Sequence, residues 1–497
     1  MEYDTIGNEC LLACHKLFTL IYRMGSGYYM DESQSPASTD SIKKIPLIAV
    51  LLSGAFITIL NQTLLGTALP PIMEDLQLTE STVQWLQSSF MLVNGIMIPI
   101  TAFLIQRFTT RKLFLTAMIS FAFGTLIAAV SPNFTFLLIG RVFQGAGAGI
   151  MMPLLQTIMF LIFPIERRGT AMGMFGLVIA FAPAIGPSLS GWLVDQFPWR
   201  SVFYVVLPIA IINIIAAYFF LKNVTEQTSP KVDVLSIILS TLGFGGLLYG
   251  FSMAGSEGWA SAQVIISLLV GAITLFVFIM RQLRLDEPIL EFRVFKYKTF
   301  SLTTGLGMIV FISMIGTAVI LPLYMQNMLG FTALESGLVL LPGAIIMGLM
   351  NPVTGRLFDR YGAKWLAIIG FSLLVVTTFM LTGLSLDTTF GYLSTVNAVR
   401  MLSIAMVMMP VTTAGLNELP QSLIPHGSAM NNTFRQVSGA IGTALLVTIM
   451  ATSSIPSEGA EGMIHGVNAS FLVAGIISVL GLFLAFFVKG SNKQLHA

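Results

Sequence analysis

From Lys44 onward the chain runs through one apolar stretch after another, with only short polar breaks between them. A helix rises about 1.5 Å per residue, so roughly 20 apolar residues cross the hydrocarbon core of a bilayer. Fourteen such spans can be drawn, the first three over roughly 46–69, 82–105 and 113–131 and the last two over roughly 428–450 and 467–488. Composition agrees: the chain is 55% hydrophobic and 10% charged, with a mean hydropathy of +0.85, where a soluble domain carries roughly 25% charge. The expected fold class is an all-α polytopic membrane protein.

Charge orients the spans. With the N-terminus in the cytoplasm, 21 of the 25 Lys and Arg fall in cytoplasmic segments, one (Arg200) in an outer loop and three (Arg141, Arg400, Arg435) inside spans. Cytoplasmic loops collect Lys and Arg, so both termini are expected inside. An odd span count would put "RQLRLDEPILEFRVFKYK" (281–298) outside, which supports an even one.

The first forty residues differ. They hold an apolar stretch too short to span and no small-residue cleavage site, so they do not read as a signal peptide. Their polar end, "MDESQSPASTD", is expected to be disordered. Cys10 and Cys14, followed by His15, match no metal or haem spacing. The physiological start is expected at Met30, with residues 1–29 dispensable.

The spans repeat. "GRVFQGAGAGIMMP" (140–153) is matched by "VRMLSIAMVMMP" (399–410), and "AFLIQRFTTRK" (102–112) by "GRLFDRYGAK" (355–364). Downstream, "RGTAMG" (168–173) is echoed by "HGSAMN" (426–431) and "PAIG" (183–186) by "GAIG" (439–442). Four landmarks in one order imply two six-helix bundles interrupted by two extra spans. The expected domains are an N-terminal extension (1–45), a first bundle (46–221), two extra spans with cytoplasmic linkers (222–298), a second bundle (299–488) and a cytoplasmic tail (489–497).

Parallel six-helix repeats related by an axis along the membrane normal are the layout of secondary transporters that rock about a central site. Reaction chemistry is not visible: there is no Walker loop, no metal-ligand cluster among the four His, and no nucleophile with a neighbouring base. A transporter is therefore expected rather than an enzyme, with no cofactor and no nucleic-acid partner. An importer or exchanger of the same architecture stays open, as does a membrane sensor or lipid-modifying enzyme.

Several motifs carry a family resemblance. "GRLFDRYGAK" is similar to the cytoplasmic loop signature of the major facilitator superfamily, "RVFQGAGAG" to its fourth-span signature, and "PAIGPSLSGWLVDQFPWRSVF" (183–203) to the fifth-span signature associated with antiporters. "LNQTLLGTALPPI" (60–72) occupies the place of the first-span signature. Within the superfamily the chain, over about residues 45 to 488, resembles fourteen-span drug:proton antiporters of the EmrB/QacA type, with a first span and loop close to lincomycin-resistance exporters. That resemblance implies the major facilitator fold and export of small amphipathic drugs or metabolites against protons by a monomer in the cytoplasmic membrane of a bacterium. Two positions depart from the pattern: Gln106 stands where the loop signature usually has an aspartate, which only the second copy keeps, at Asp359, and Asn61 where many relatives carry an acid.

Candidate residues follow from cost and placement. A cation deep in a span costs at least ~2.5 kcal/mol, so Arg141, Arg400 and Arg435 should face a bundle interior or a wet cavity, bonding carbonyls or polar side chains. Arg141 is in addition a candidate proton relay or cargo contact. With Asn61, Gln62, Gln144 and Gln436 they form the substrate and coupling set, joined by Glu418 in "GLNELPQ", between apolar helix and proline, where desolvation would raise a carboxylate's pKa. Methionines at the matched Met-Met-Pro positions (Met151, Met152, Met406, Met408, Met409) are candidates to line a tolerant cavity. Gating candidates are Arg107 and Arg111 in the first loop, Pro183, Gly186, Pro187 and Gly191 as a kinked closure seam, and Gly355, Asp359 and Arg360 in the second loop. Asp359, among Arg356, Arg360 and Lys364, is expected to latch the cytoplasmic side through charge-assisted hydrogen bonds.

Overall fold

A computed structural model of the chain describes residues 44–490 apart from 226, 229–231, 456 and 458. Cys10, Cys14, His15 and the expected start at Met30 lie outside the described residues. Those residues form fourteen helices long and apolar enough to cross a membrane. The first six are α1 (Lys44–Asp75), α2 (Glu80–Arg107), α3 (Thr110–Ala129), α4 (Phe134–Ile162), α5 (Arg168–Gln196) and α6 (Ser201–Phe220). Next come α7 (Val234–Glu257) and α8 (Ala262–Gln282). The last six are α9 (Lys298–Asn327), α10 (Ala333–Tyr361), α11 (Ala363–Met380), α12 (Phe390–Asn417), α13 (Ile424–Ser453) and α14 (Gly459–Ala485).

Helices begin where a short polar side chain can cap free amides. The Thr79, Thr109, Asn133 and Thr389 side chains accept from the third residue on, and Thr332 with Glu335 forms a reciprocal capping box. Helix ends do not track the apolar runs everywhere. The first helix continues through Pro70 and Pro71 to Asp75, and the last begins at Gly459, ahead of its apolar run. Proline forfeits a hydrogen bond but holds a helical φ, so a helix can outlast its lipid-facing part.

Packing repeats across the two halves. In the first, α1 packs on α4, α5 and α6, α2 on α4, and α3 on α4 and α6. In the second, α9 packs on α12, α13 and α14, α10 on α12, and α11 on α12 and α14. These are the same contacts shifted by eight helices, which is the duplication seen in the motifs. The bundles meet along two equivalent seams, α5 against α10 and α2 against α13. The α7–α8 hairpin breaks the equivalence: α7 lies on both α2 and α13, while α8 packs mainly on α7 and turns Ile266, Leu269, Ile273 and Phe276 outward. Such an apolar exterior is stable only against lipid.

Successive helices alternate in direction, so one face of the bundle carries both ends of the described chain. This terminal face holds the end of α2, the start of α5, the end of α10 and the start of α13. The opposite, distal face is stapled by Asp75, which accepts from Trp199 Nε1 (2.9 Å) and pairs with Arg200 (3.1 Å).

Candidate functional site

A cavity of about 1320 Å³ lies between the bundles, walled by α1, α2, α4, α5 and α7 on one side and α9, α10, α12 and α13 on the other. Trp85, Trp192, Asp195 and Leu334 bring it to the distal face, where Leu334 is 73% exposed. Met152, Met347, Asn432 and Arg435 lie deepest along their helices. Most of the wall is apolar, with Gln62, Asn94, Asn397, Arg435 and Gln436 as convergent polar groups. Arg435 rests over Phe311 (5.2 Å to the ring centre) and reaches Met408 Sδ (3.6 Å). The one carboxylate in the lining is Asp195, at the mouth.

Gln62, Arg435 and Gln436 thus meet in one chamber as the sequence leads one to expect, together with Pro183, Pro187 and Gly191. Arg141 and Arg400 do not. Arg141 is 0% exposed; its Nε donates to Leu86 O (2.9 Å), its Nη1 to Gln144 Oε1 (2.7 Å), and the guanidinium sits 4.3 Å from the Phe90 ring centre. Gln144 in turn donates to Thr125 Oγ1 (2.9 Å), so this network ties α2, α3 and α4 together. Arg400 is its counterpart, donating to Thr378 Oγ1 on α11 and to Ser313 Oγ (2.6 Å) and O (3.0 Å) on α9. Both arginines face their bundles and lie outside the cavity lining, so in this conformation Arg141 meets partners of its own bundle and not the chamber where cargo contact was expected. A guanidinium suits such ties because it can bridge helix carbonyls and side chains in several directions at once.

Asn61 is 1% exposed, outside the cavity lining, and neither amide atom has a protein partner. Glu418, expected to be desolvated, is a partly exposed acid facing Lys489 (3.6 Å) at the end of α12. Of the matched methionines only Met152 lines the cavity; Met151 packs near Gly54 inside its own bundle, whereas Met409 meets Gly176 of α5 across the seam between the bundles.

The cavity is closed at the terminal face, and by different groups from those the loop cations suggest. Asp359 of α10 crosses the seam to the start of α5, accepting from Gly169 N (2.7 Å), Thr170 N (2.8 Å) and Thr170 Oγ1 (2.6 Å). Its partners are free amides at a helix N-terminus, where the dipole favours an anion. Arg111 instead caps α6 by donating to Tyr218 O (2.5 Å), Arg107 leans on Phe103 and Arg360 on Tyr361. The closed seam is built from Gly169, Gly173 and Gly176 of α5, where an added Cβ would meet Gly355, Asn351 or Met409. Pro183, Pro187 and Gly191 line open space, and Gly186 packs on Thr63 of its own bundle, because the halves are parted at that end of α5.

The second seam closes the same way with other chemistry. Ser428 donates to Gln156 Oε1 (2.9 Å), and Asn432 donates to the same oxygen (2.6 Å). At the start of α13, His426 Nδ1 accepts from Glu291 N (3.2 Å), and its Nε2 lies 2.8 Å from the amide end of Gln106 on α2. The sequence does not single out His426, although the echo of "RGTAMG" in "HGSAMN" sets it opposite Arg168.

The sequence profile of the Major Facilitator Superfamily matches residues 51–443. The MFS-type transporter YcnB of Bacillus subtilis (strain 168) is 56% identical, over 90% of this chain and 95% of that protein. The lincomycin resistance protein LmrB of Listeria monocytogenes is 44% identical, over 92% of this chain and 99% of that protein. Among solved structures, the human organic anion transporter MFSD10 superposes with a TM-score of 0.66 at 14% identity, covering 89% of this chain and 99% of that one.

Proposed function

The chain belongs to the Major Facilitator Superfamily, and on that premise we propose that it exports small amphipathic compounds across the cytoplasmic membrane by alternating access, in exchange for protons. One observation carries the proposal: two bundles with equivalent internal contacts enclose a largely apolar chamber that is sealed at the terminal face and open at the distal face. Rocking the bundles about that chamber exchanges the open face for the sealed one. The excess of Lys and Arg on the terminal side supports a cytoplasmic terminal face, so the conformation described is outward-open.

The apolar wall supplies affinity without fine shape selection, and the few polar groups orient the cargo. Gln62, Gln436 and Arg435 are the cargo contacts in this scheme, with Arg435 donating to electron-rich oxygens. Asp359 is the latch that holds the cytoplasmic side shut and is released as cargo enters from inside. Resistance in a relative named for lincomycin puts that antibiotic first among the compounds to try. The test is a panel of toxic amphiphiles on a susceptible bacterium with and without the chain, joined to dye efflux with a protonophore control. Raised tolerance together with protonophore-sensitive efflux is expected; unchanged tolerance across the panel rejects export.

A further inference from the structure

We propose that His426 is the proton-binding site of the transport cycle, a lock on the α2/α13 seam whose neutral ring keeps the terminal face shut and whose protonation opens it. This rests on the proton-coupled export proposed above.

The two seams are equivalent in geometry and opposite in chemistry. On the α5/α10 seam an anion, Asp359, caps a helix that starts with Arg168. On the α2/α13 seam the anion's place is taken by Gln106, and the first turn of the helix holds His426, which is 4% exposed. The first repeat carries an amide, Gln106, where the second carries Asp359, and that seam holds an imidazole.

Hydrogen bonding assigns the state of that ring. Nδ1 accepts the Glu291 amide proton, so it carries no proton of its own. The Gln106 atom placed 2.8 Å from Nε2 is its amide nitrogen; a neutral imidazole cannot accept at both nitrogens, so with Nδ1 accepting, Nε2 carries the proton and the Gln106 amide is assigned with its oxygen turned to receive it. Adding a proton makes both ring nitrogens donors. Nδ1–H then faces the Glu291 N–H, donor against donor, and the bond that pins the α8–α9 linker to α13 is lost.

The carboxylate nearest in the chain to the ring's partner amide, that of Glu291, is already engaged by Arg293 N and Nη1. Charged groups on the elements around this end of α13 are Arg107 on α2, Asp233 paired with Arg281, Glu291 paired with Arg293, Lys298 on α9, and Glu418 facing Lys489. No carboxylate among the described residues hydrogen-bonds the ring. A buried, unpaired cation is costly, and opening the seam to water relieves it.

The direction fits antiport. In the outward-open state Asn432 lines the chamber and shares Gln156 Oε1 with Ser428, two residues from His426, and the proton's path from the chamber follows these polar groups along α13. Protonation drops the linker bond and leaves a buried cation that only hydration relieves, so the seam parts although Nε2–H still donates to Gln106; the ring then meets the cytoplasm and releases its proton. One proton moves inward for each outward passage of cargo.

Everted vesicles containing the wild-type chain, His426→Asn or His426→Gln separate the possibilities. Dye accumulation driven by a pH gradient is expected to fall roughly tenfold or more in both variants, the scale of a typical coupling free energy. Dye counterflow, which needs no proton step, remains measurable. In wild-type protein labelled with 15N at histidine, the resonance missing from His426→Asn is expected to report the Nε2–H tautomer. Wild-type gradient-driven accumulation in either variant overturns the proposal. Loss of counterflow in both variants at equal insertion makes the ring a packing group and overturns it too, as does an Nδ1–H tautomer. Absence of gradient-driven accumulation in the wild type itself rejects proton-coupled export, and this inference falls with it.

Discussion

Gly169 and Gly355 meet backbone to backbone where α5 crosses α10, so close that a Cβ on Gly355 would overlap the carbonyl oxygen of Gly169. Under the proposed alternating access, opening the terminal face would part this contact. Gly355→Ala is therefore expected to insert normally but to hold this face ajar, cutting efflux by roughly tenfold or more for a few kcal/mol of overpacking. Cysteine accessibility at the terminal face, rising in the variant, is the measurement.

Asp359→Asn keeps one acceptor oxygen but turns an NH2 toward one of the three donors now on the carboxylate. Hydrogen bonds to a charged group contribute about 1.5–3 kcal/mol each, and the closed state alone loses them. Turnover should slow while cargo Kd in detergent changes less than about twofold, since a latch acts on populations. Comparing the rate of dye efflux with the Kd of the same dye decides it; equal effects on both would make Asp359 a binding residue.

Arg141→Ala leaves the buried Gln144 Oε1 without its donor and removes the bond from α4 to the Leu86 carbonyl, which Ser89 Oγ still reaches (3.5 Å). An orphaned buried group costs about 1–3 kcal/mol, so the purified variant should melt at a clearly lower temperature and transport little. Arg141→Lys should recover only part of the loss, because an ammonium cannot reproduce the fork that serves both acceptors. A variant that melts like wild type yet fails to transport would return Arg141 to the coupling machinery.

Arg435→Gln should have the opposite signature. The side chain meets the chamber, with a ring face and a sulfur as its protein partners. Melting should shift little, while Kd for cargo bearing an oxygen acceptor rises roughly tenfold, the equivalent of about 1.4 kcal/mol. Calorimetric or fluorescence titration of both proteins with one cargo gives the comparison.

The spans, their number and the duplication were legible because hydrophobic length and motif order are properties of the chain alone. The inner face of each helix was not. Several spans are apolar on every side, so no stripe distinguishes lipid from chamber, and Met152 is indistinguishable from Met151 until the helices pack. Buried cations look alike in sequence as well, since the cost of burial reveals that a partner exists but not what kind. For Arg141 and Arg400 the partners are carbonyls and hydroxyls of the same bundle; for Arg435 they leave the guanidinium turned to open space. Closure of the seams depends on pairs such as Asp359 with Gly169 and Gln106 with His426, each separated by well over a hundred residues, which no local pattern links.

The α7–α8 hairpin changes what kind of motion the molecule can make. Because α7 touches both α2 and α13 and contributes Leu248, Tyr249, Ser252 and Met253 to the chamber wall, any stroke that separates α2 from α13 must also part α7 from one of them. Two rigid bodies cannot describe that stroke. Under the alternating access proposed above, the hairpin would be a third moving part on one flank only, and cargo bound against α7 would feel a wall that travels with one half of the protein and slides along the other.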